Sequence, residues 1–174
     1  MVILITGASH TGKTILAQKL LEKYNYPYLS IDHLKMGLIR SGNTNLTPYD
    51  DEQLVSYLWP IVREIIKTVI ENKQNLIVEG GYIPFAWRRD FDDKYLESIK
   101  YICIAITDKY IENHFDDILY HEKDIEDRYD CVYTIDDVKD GNHVYINGCK
   151  QNDEEIMLID DDYECIIEKI VRDI

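Results

Sequence analysis

A chain of 174 residues, 45% hydrophobic and 30% charged, has the size and composition of one globular domain with a substantial core; it is neither a disordered chain nor long enough for two independent domains. With 33 Asp and Glu against 19 Lys and Arg, its formal net charge of -14 repels polyanions at long range and argues against nucleic acid and acidic membrane as partners. A small anion held by backbone N–H groups, one lysine and a metal ion is still compatible with it, because a local site overrides a distant field.

Met1 to Thr6, MVILIT, is a short apolar run rich in β-branched residues, the pattern of a strand covered on both faces. A helix is expected from Gly12, with Ile15, Leu16, Leu20 and Tyr24 at helical spacing. Pro27 to Ile31 reads as a second strand ending at Asp32, and His33 to Ile39 as a short helix stopped by Ser41-Gly42-Asn43. Thr47 supplies a capping hydroxyl and Pro48 a first helical position for a long amphipathic helix through Asn72, broken or kinked near Trp59-Pro60. Asn75 to Val78 is the third strand, terminated by Glu79, Gly80 and Gly81. Tyr101 to Ile106 and Ile156 to Ile159 are the fourth and fifth. Helices are expected before and after these last two, the final one over about Tyr163 to Val171, while His121 to Asp153 has the least regular pattern. Strands alternating with helices specify an α/β fold, a parallel sheet with helices on both faces, whose ligands sit at the carboxyl ends of the strands.

Four cysteines, Cys103, Cys131, Cys149 and Cys165, stand apart without a CxxC pair and read as reduced thiols. The run Val2 to Ile5 is too short for a signal peptide, and no run approaches the roughly 20 residues of a membrane span. A soluble, cytoplasmic protein is expected.

The chemistry is concentrated in GASHTGKT, Gly7 to Thr14, which fits G-x-x-x-x-G-K-[ST] between a strand and a helix. Gly7 and Gly12 permit backbone conformations in which the N–H groups of Ala8, Ser9, His10, Thr11 and their neighbours turn inward around a phosphate. Lys13 then reaches the β- and γ-phosphates, the Thr14 hydroxyl binds magnesium, and the helix start adds positive potential. The stretch is read as a nucleoside triphosphate site, with ATP and Mg2+ as the implied ligands; the chain shows no Asn-Lys-x-Asp guanine-reading motif. Two roles are open to Asp32: orienting an acceptor hydroxyl and taking its proton, or capping the helix that follows. Glu79, an acid closing an apolar strand, is a metal-orienting candidate or a solvated edge residue, and Gly80 lets a ligand approach the backbone.

GASHTGKT, then LSID before a short helix, then LIVEGGYIP, resembles the adenylate-kinase-like group of phosphate-loop kinases in layout over most of the chain. The resemblance implies a three-layer fold with five parallel strands in the order 2-3-1-4-5. It also implies one domain over 1–174, an acceptor-binding insertion over about 33–72 and a lid over about 116–135. IDHLK looks like the start of the acceptor region and VEGGYIP is similar to the group's Asp-Gly-x-Pro element. SID before a helix also resembles small-alcohol kinases such as chloramphenicol phosphotransferase, by which Asp32 would be the base. Lys35 stands where monophosphate kinases place an arginine, and ENHFDD, Glu112 to Asp117, lacks their arginines. A hydroxyl acceptor is therefore favoured over a nucleoside monophosphate, since arginine grips phosphate with a fork and lysine only as a point charge. Lys35, Arg40, Gly80 and Arg88 join Asp32 as candidate acceptor contacts. Arg40, Arg88, Arg89 and Arg128 are the candidates for a transition-state arginine, with Arg128 placed in the lid; surface ion pairing is the other role open to each. The expected activity is transfer of the γ-phosphoryl group of MgATP to a small molecule. A nucleotide-dependent switch and a toxin-type phosphotransferase are the alternatives.

Overall fold

The structure, a computed structural model, describes residues 1–120 and 133–174. Five strands, β1 (Val2–Gly7), β2 (Tyr28–Ser30), β3 (Leu76–Glu79), β4 (Ile99–Ile106) and β5 (Ile156–Ile159), form one sheet in the order β2-β3-β1-β4-β5. Every pairing is parallel. The expected strand order is thus observed, with β1 at the centre.

Alternation along β1 explains the layers. Val2 and Leu4 join Val78, Ile31, Leu54, Leu58 and Trp87 in one apolar cluster. Ile3 and Ile5 join Leu16, Leu20, Ile104, Ile159 and Ile167 in the other. Successive side chains of a strand point to opposite faces, so an all-apolar strand demands a cover on each side. Helices α2 (Ile31–Arg40) and α3 (Asp51–Glu71) contribute to the first cover, and α1 (Lys13–Tyr24) and α7 (Tyr163–Asp173) to the second. The short α4 (Asp93–Leu96), α5 (Asp108–Tyr120) and α6 (Ile135–Gln151) complete the helices among the described residues.

Several element boundaries differ from those read in the sequence. Helix α2 begins at Ile31 rather than His33, because Ser30 closes β2 and accepts a hydrogen bond from the His33 N–H at 3.4 Å. Asp32 therefore lies in the first turn of the helix, and capping is done by Ser30. Helix α3 begins at Asp51 rather than near Thr47. Thr47 donates its N–H and hydroxyl to the Asp50 carboxylate, each at 2.7 Å, which closes a separate turn ahead of the helix. Of the break or kink expected near Trp59-Pro60, the break is not found: α3 runs through the proline to Glu71. Leu58, Trp59 and Val62 bury on either side of the proline, and that packing offsets the one missing bond.

In the stretch with the loosest pattern, α6 is a well-capped helix. Thr134 and Asp137 form a reciprocal capping box, with the Thr134 N–H and hydroxyl reaching the carboxylate at 2.8 and 2.6 Å. Gly148 is required by packing, since a Cβ there would overlap the Phe85 ring. Asn142, fully buried, accepts the Ile106 N–H at 2.8 Å and donates to the Val138 carbonyl at 2.8 Å, fastening α6 to the tip of β4.

These connections fix where a ligand can sit. β1 leads through α1 towards β2 on one side, while β4 leads towards β5 on the other, so the carboxyl tips of β1 and β4 flank a topological switch point. Gly7, paired with Ile104 at the end of β1, lies there.

Candidate active site

The loop from Gly7 to Gly12 takes its shape from backbone that ordinary residues avoid. Gly7 has φ 150°, His10 φ 65° and Gly12 φ 79°. A Cβ on Gly7 would strike the Ile104 carbonyl, and one on Gly12 would strike the Tyr163 hydroxyl. Glycine is thus needed at both positions for conformation and for space. Gly12 is also the N-cap of α1 and offers no side chain to the first-turn amides. A helix start of this kind presents backbone N–H groups and a positive dipole to an anion.

Two side chains brace the loop from within. Thr11, fully buried, donates its hydroxyl to the Ala8 carbonyl at 2.9 Å, and Lys13 Nζ donates to the same oxygen at 2.7 Å. His10 meets Tyr133 edge-on, ring centroids 4.8 Å apart. Ser9 is exposed and Thr14 is half-buried.

On the β3 side, Glu79 pairs in register with Ile5 of β1 and with Ser30 of β2, and is 1% exposed. Burial pushes its carboxyl above the usual range. The Lys13 ammonium and hydrogen bonds from Ser30 and Tyr28 pull the other way, and the Asp32 charge adds to the rise. The Tyr28 hydroxyl donates to Glu79 Oε1 at 2.9 Å. Gly80 follows with φ 153°, where a Cβ would lie 2.8 Å from Ile31 Cβ, while the Gly80 carbonyl accepts the Thr6 hydroxyl at 3.0 Å. The turn after β3 is thereby held against both the loop strand and the start of α2.

Asp32 projects from that start into a polar chain. Lys35 Nζ donates to Asp32 Oδ1 at 2.6 Å and to the Tyr82 hydroxyl at 2.8 Å, and the Tyr82 hydroxyl donates to Asp51 Oδ1 at 3.2 Å. The Lys35 side chain is 11% exposed and that of Asp32 33%. Burial alone would lower the Lys35 pKa, but the Asp32 charge and hydrogen bonds to Asp32 and Tyr82 outweigh it and hold the ammonium above its usual range. Hydrogen bonds thus link Asp32, Lys35, Tyr82 and Asp51 in a polar tract, and Glu79 lies near enough to Lys13 and Asp32 to feel both charges.

Other sequence candidates lie elsewhere. Arg40 is exposed at the end of α2. Arg88 closes its fork on Glu154, Nε to Oε1 at 2.5 Å and Nη2 to Oε2 at 3.0 Å, with its guanidinium 4.7 Å from the Trp87 ring centroid. Arg89 is exposed in the 3-10 turn Trp87–Asp90. Arg128 and most of the expected lid lie outside the described residues. The structure adds Tyr28, Ser30, Tyr82, Asp51 and Tyr145 to the site. Tyr145 reaches across from α6 to donate to the Gly81 carbonyl at 3.0 Å. The recurrence of Asn142, Tyr145, Gly148 and Cys149 at spacings of three and four marks one helix face and was legible in the sequence; Tyr82 and Tyr28 carry no such signal.

Among the described residues, no group of three or more His, Cys, Asp or Glu side chains is arranged to hold a metal ion. Magnesium does not need one beside a nucleotide, since it keeps several waters and takes phosphate oxygens plus one or two protein ligands. Thr14 at the loop and the desolvated Glu79 carboxylate, whose charged form a cation would favour, fit that requirement.

No family model matches the chain, and no curated protein matches it. Solved structures do. A sugar kinase from Janibacter sp. superposes with TM-score 0.55 at 13% identity, over 98% of this chain and 92% of that one. A gluconokinase from Sinorhizobium meliloti gives TM-score 0.52 at 13% identity, over 98% and 89%. Shikimate kinase from Aquifex aeolicus gives 0.51 at 15% identity, over 99% and 95%. With its sheet order and glycine-shaped loop at the tip of β1, the chain has the fold of the phosphate-loop small-molecule kinases of the adenylate-kinase-like group.

Proposed function

We propose that the protein is a kinase that transfers the γ-phosphoryl group of MgATP to a hydroxyl of a small molecule. The observation that supports this reading is that a glycine-shaped loop at the tip of β1 and the Asp32 carboxylate, just beyond the tip of β2, lie on the same carboxyl edge of the sheet. Lys13 and the amides from Ala8 to Thr14 hold the phosphates, and Lys13 exchanges its contact with the Ala8 carbonyl for phosphate oxygens. Thr14 and Glu79 would hold magnesium, which would neutralise charge on the phosphate oxygens. Asp32 accepts a hydrogen bond from the acceptor hydroxyl and takes its proton as the bond from the γ-phosphorus to the acceptor oxygen forms. The bond from that phosphorus to the β-γ bridging oxygen breaks, and ADP leaves. Lys35 fixes the Asp32 carboxylate in place, and α2 and α3, over 33–72, form the acceptor side.

Kinase neighbours named for sugar, gluconate and shikimate support a hydroxyl acceptor. The test is ADP release from MgATP by the purified protein, alone and against a panel of alcohols, nucleosides and monophosphates, with Lys13→Ala and Asp32→Asn alongside. Stimulation by an alcohol that both substitutions abolish is expected. Tight nucleotide binding lost only in Lys13→Ala, with no stimulation by any acceptor, would refute transfer and leave a nucleotide-dependent switch.

A further inference from the structure

The polar tract beyond Asp32 has a charge pattern that restricts the acceptor. Two carboxylates, Asp32 and Asp51, stand at the ends of a chain that holds one ammonium: Lys35 pairs with Asp32, and Asp51 is reached only through the Tyr82 hydroxyl. Two of the three Lys35 N–H bonds are directed to Asp32 and Tyr82, and the ammonium also lies 4.8 Å from the Tyr82 ring centroid. Tyr82 is itself 8% exposed, and its hydroxyl spends its proton on Asp51. Other cations near this side are committed or distant. The Arg88 fork is closed on Glu154, and Arg40 stands eight residues along α2 from Asp32, roughly 12 Å at 1.5 Å per residue. Beside the tract, Glu79 is offset by Lys13.

An acceptor bearing a carboxylate or phosphate would be offered only the third Lys35 N–H, would compete with Asp32 for the ammonium that keeps it oriented, and would meet Asp51 with a like charge. Among the described residues no arginine is bonded or ion-paired to Asp32, Lys35, Tyr82 or Asp51, and Arg89, like Arg40, is exposed, so no arginine fork is fixed at this tract to receive it. A protonated amine meets the opposite situation, because Asp51 is exposed and, among the described residues, only the Tyr82 hydroxyl donates a side-chain hydrogen bond to it. We infer that the acceptor is an alcohol without an anionic group, and that an amino alcohol is preferred to a neutral one, its ammonium directed to Asp51. This rests on the kinase reading above, and it departs from the hydroxy-acid chemistry named for the gluconokinase and shikimate kinase neighbours.

The experiment uses the whole protein with MgATP and acceptors matched in skeleton but differing in charge: amino alcohols, neutral polyols, hydroxy acids and sugar phosphates. Expected is a kcat/KM order of amine, neutral, anion, with about tenfold at the first step and about a hundredfold overall. Asp51→Asn, a conservative change at an exposed position, should erase the preference for amine over neutral without moving the melting temperature by more than a degree or so. An anionic acceptor equal to or better than its amine counterpart overturns the inference, as does an amine preference that survives Asp51→Asn. Calorimetric binding of MgATP and of the same compounds to MgADP-loaded protein separates the two readings. If nucleotide binds but nothing is phosphorylated, the kinase reading falls, and the binding order of amine over anion, or its absence, decides the charge inference by itself.

Discussion

Replacing Lys35 with methionine removes the ammonium that joins Asp32 to Tyr82 and keeps most of the buried stem. The cost can be bracketed from exposure. Hydrogen bonds to charged groups contribute about 1.5–3 kcal/mol when shielded, whereas exposed pairs contribute about 0–1 kcal/mol. Here the lysine side chain is 11% exposed but Asp32 is 33% exposed, so water partly replaces what the carboxylate loses. A loss of about 1–2 kcal/mol is expected, and at about 2–4 °C per kcal/mol for a chain of this size the melting temperature should fall by about 2–8 °C. A urea-denaturation cycle with Asp32→Asn isolates the pair and should give a coupling of about 1 kcal/mol or more. In the ADP-release assay, kcat should fall about tenfold to a hundredfold, since an unpinned base is misplaced by an ångström or so, while the KM for MgATP stays unchanged. The reasoning is refuted if the cycle shows no coupling, or if stability falls while kcat for the best acceptor is untouched.

Burial raises the Glu79 carboxyl, so the folded chain holds that proton to higher pH than the unfolded chain does. The stability it contributes is complete below the unfolded carboxylate value and is lost as pH rises through the folded one. Glu79→Gln should therefore gain in melting temperature relative to the parent as pH increases from about 4.3, and a gap independent of pH would count against the assignment. Gly12→Ala should cost about 2–4 kcal/mol, from overpacking on Tyr163 and from positive φ, and should abolish nucleotide binding measured by calorimetry. Adding Tyr163→Phe should restore part of the stability, because the hydroxyl is the nearest obstacle. Arg88→Ala strands the Glu154 carboxylate, whose side chain is 2% exposed. The loss should be about 2–4 kcal/mol in urea, below the range for fully buried pairs because Arg88 is itself 53% exposed, and Glu154→Gln in the same chain should recover much of it.

What could be read from the sequence, and what could not, follows from the range of the interactions involved. The central strand and the phosphate loop were legible because both are written locally: MVILIT specifies a strand covered on both faces, and GASHTGKT specifies its own turn, whereas the strand order was implied only by the resemblance those motifs carry. The start of α2 was misplaced by two residues because Ser30, a good strand ender and an equally good cap, competes with Asp32 for the same office, and only the His33 N–H decides between them. Helix α3 was expected to falter at Pro60, but a single missing hydrogen bond is a local cost, and the apolar face of Leu54, Leu58, Val62 and Ile66 is a tertiary gain that no window of sequence prices. The acceptor side was least legible for the same reason. Asp32 and Lys35 are one helical turn apart and could be paired from spacing alone. Tyr82 arrives from 47 residues beyond Lys35 to bond it, and reaches back 31 residues to bond Asp51. The charge of the pocket is a property of that convergence. The overall charge of -14 does not predict it, since the same chain gathers Lys13 and the loop amides into an anion site on one side of Glu79 and leaves a net negative pair of carboxylates on the other.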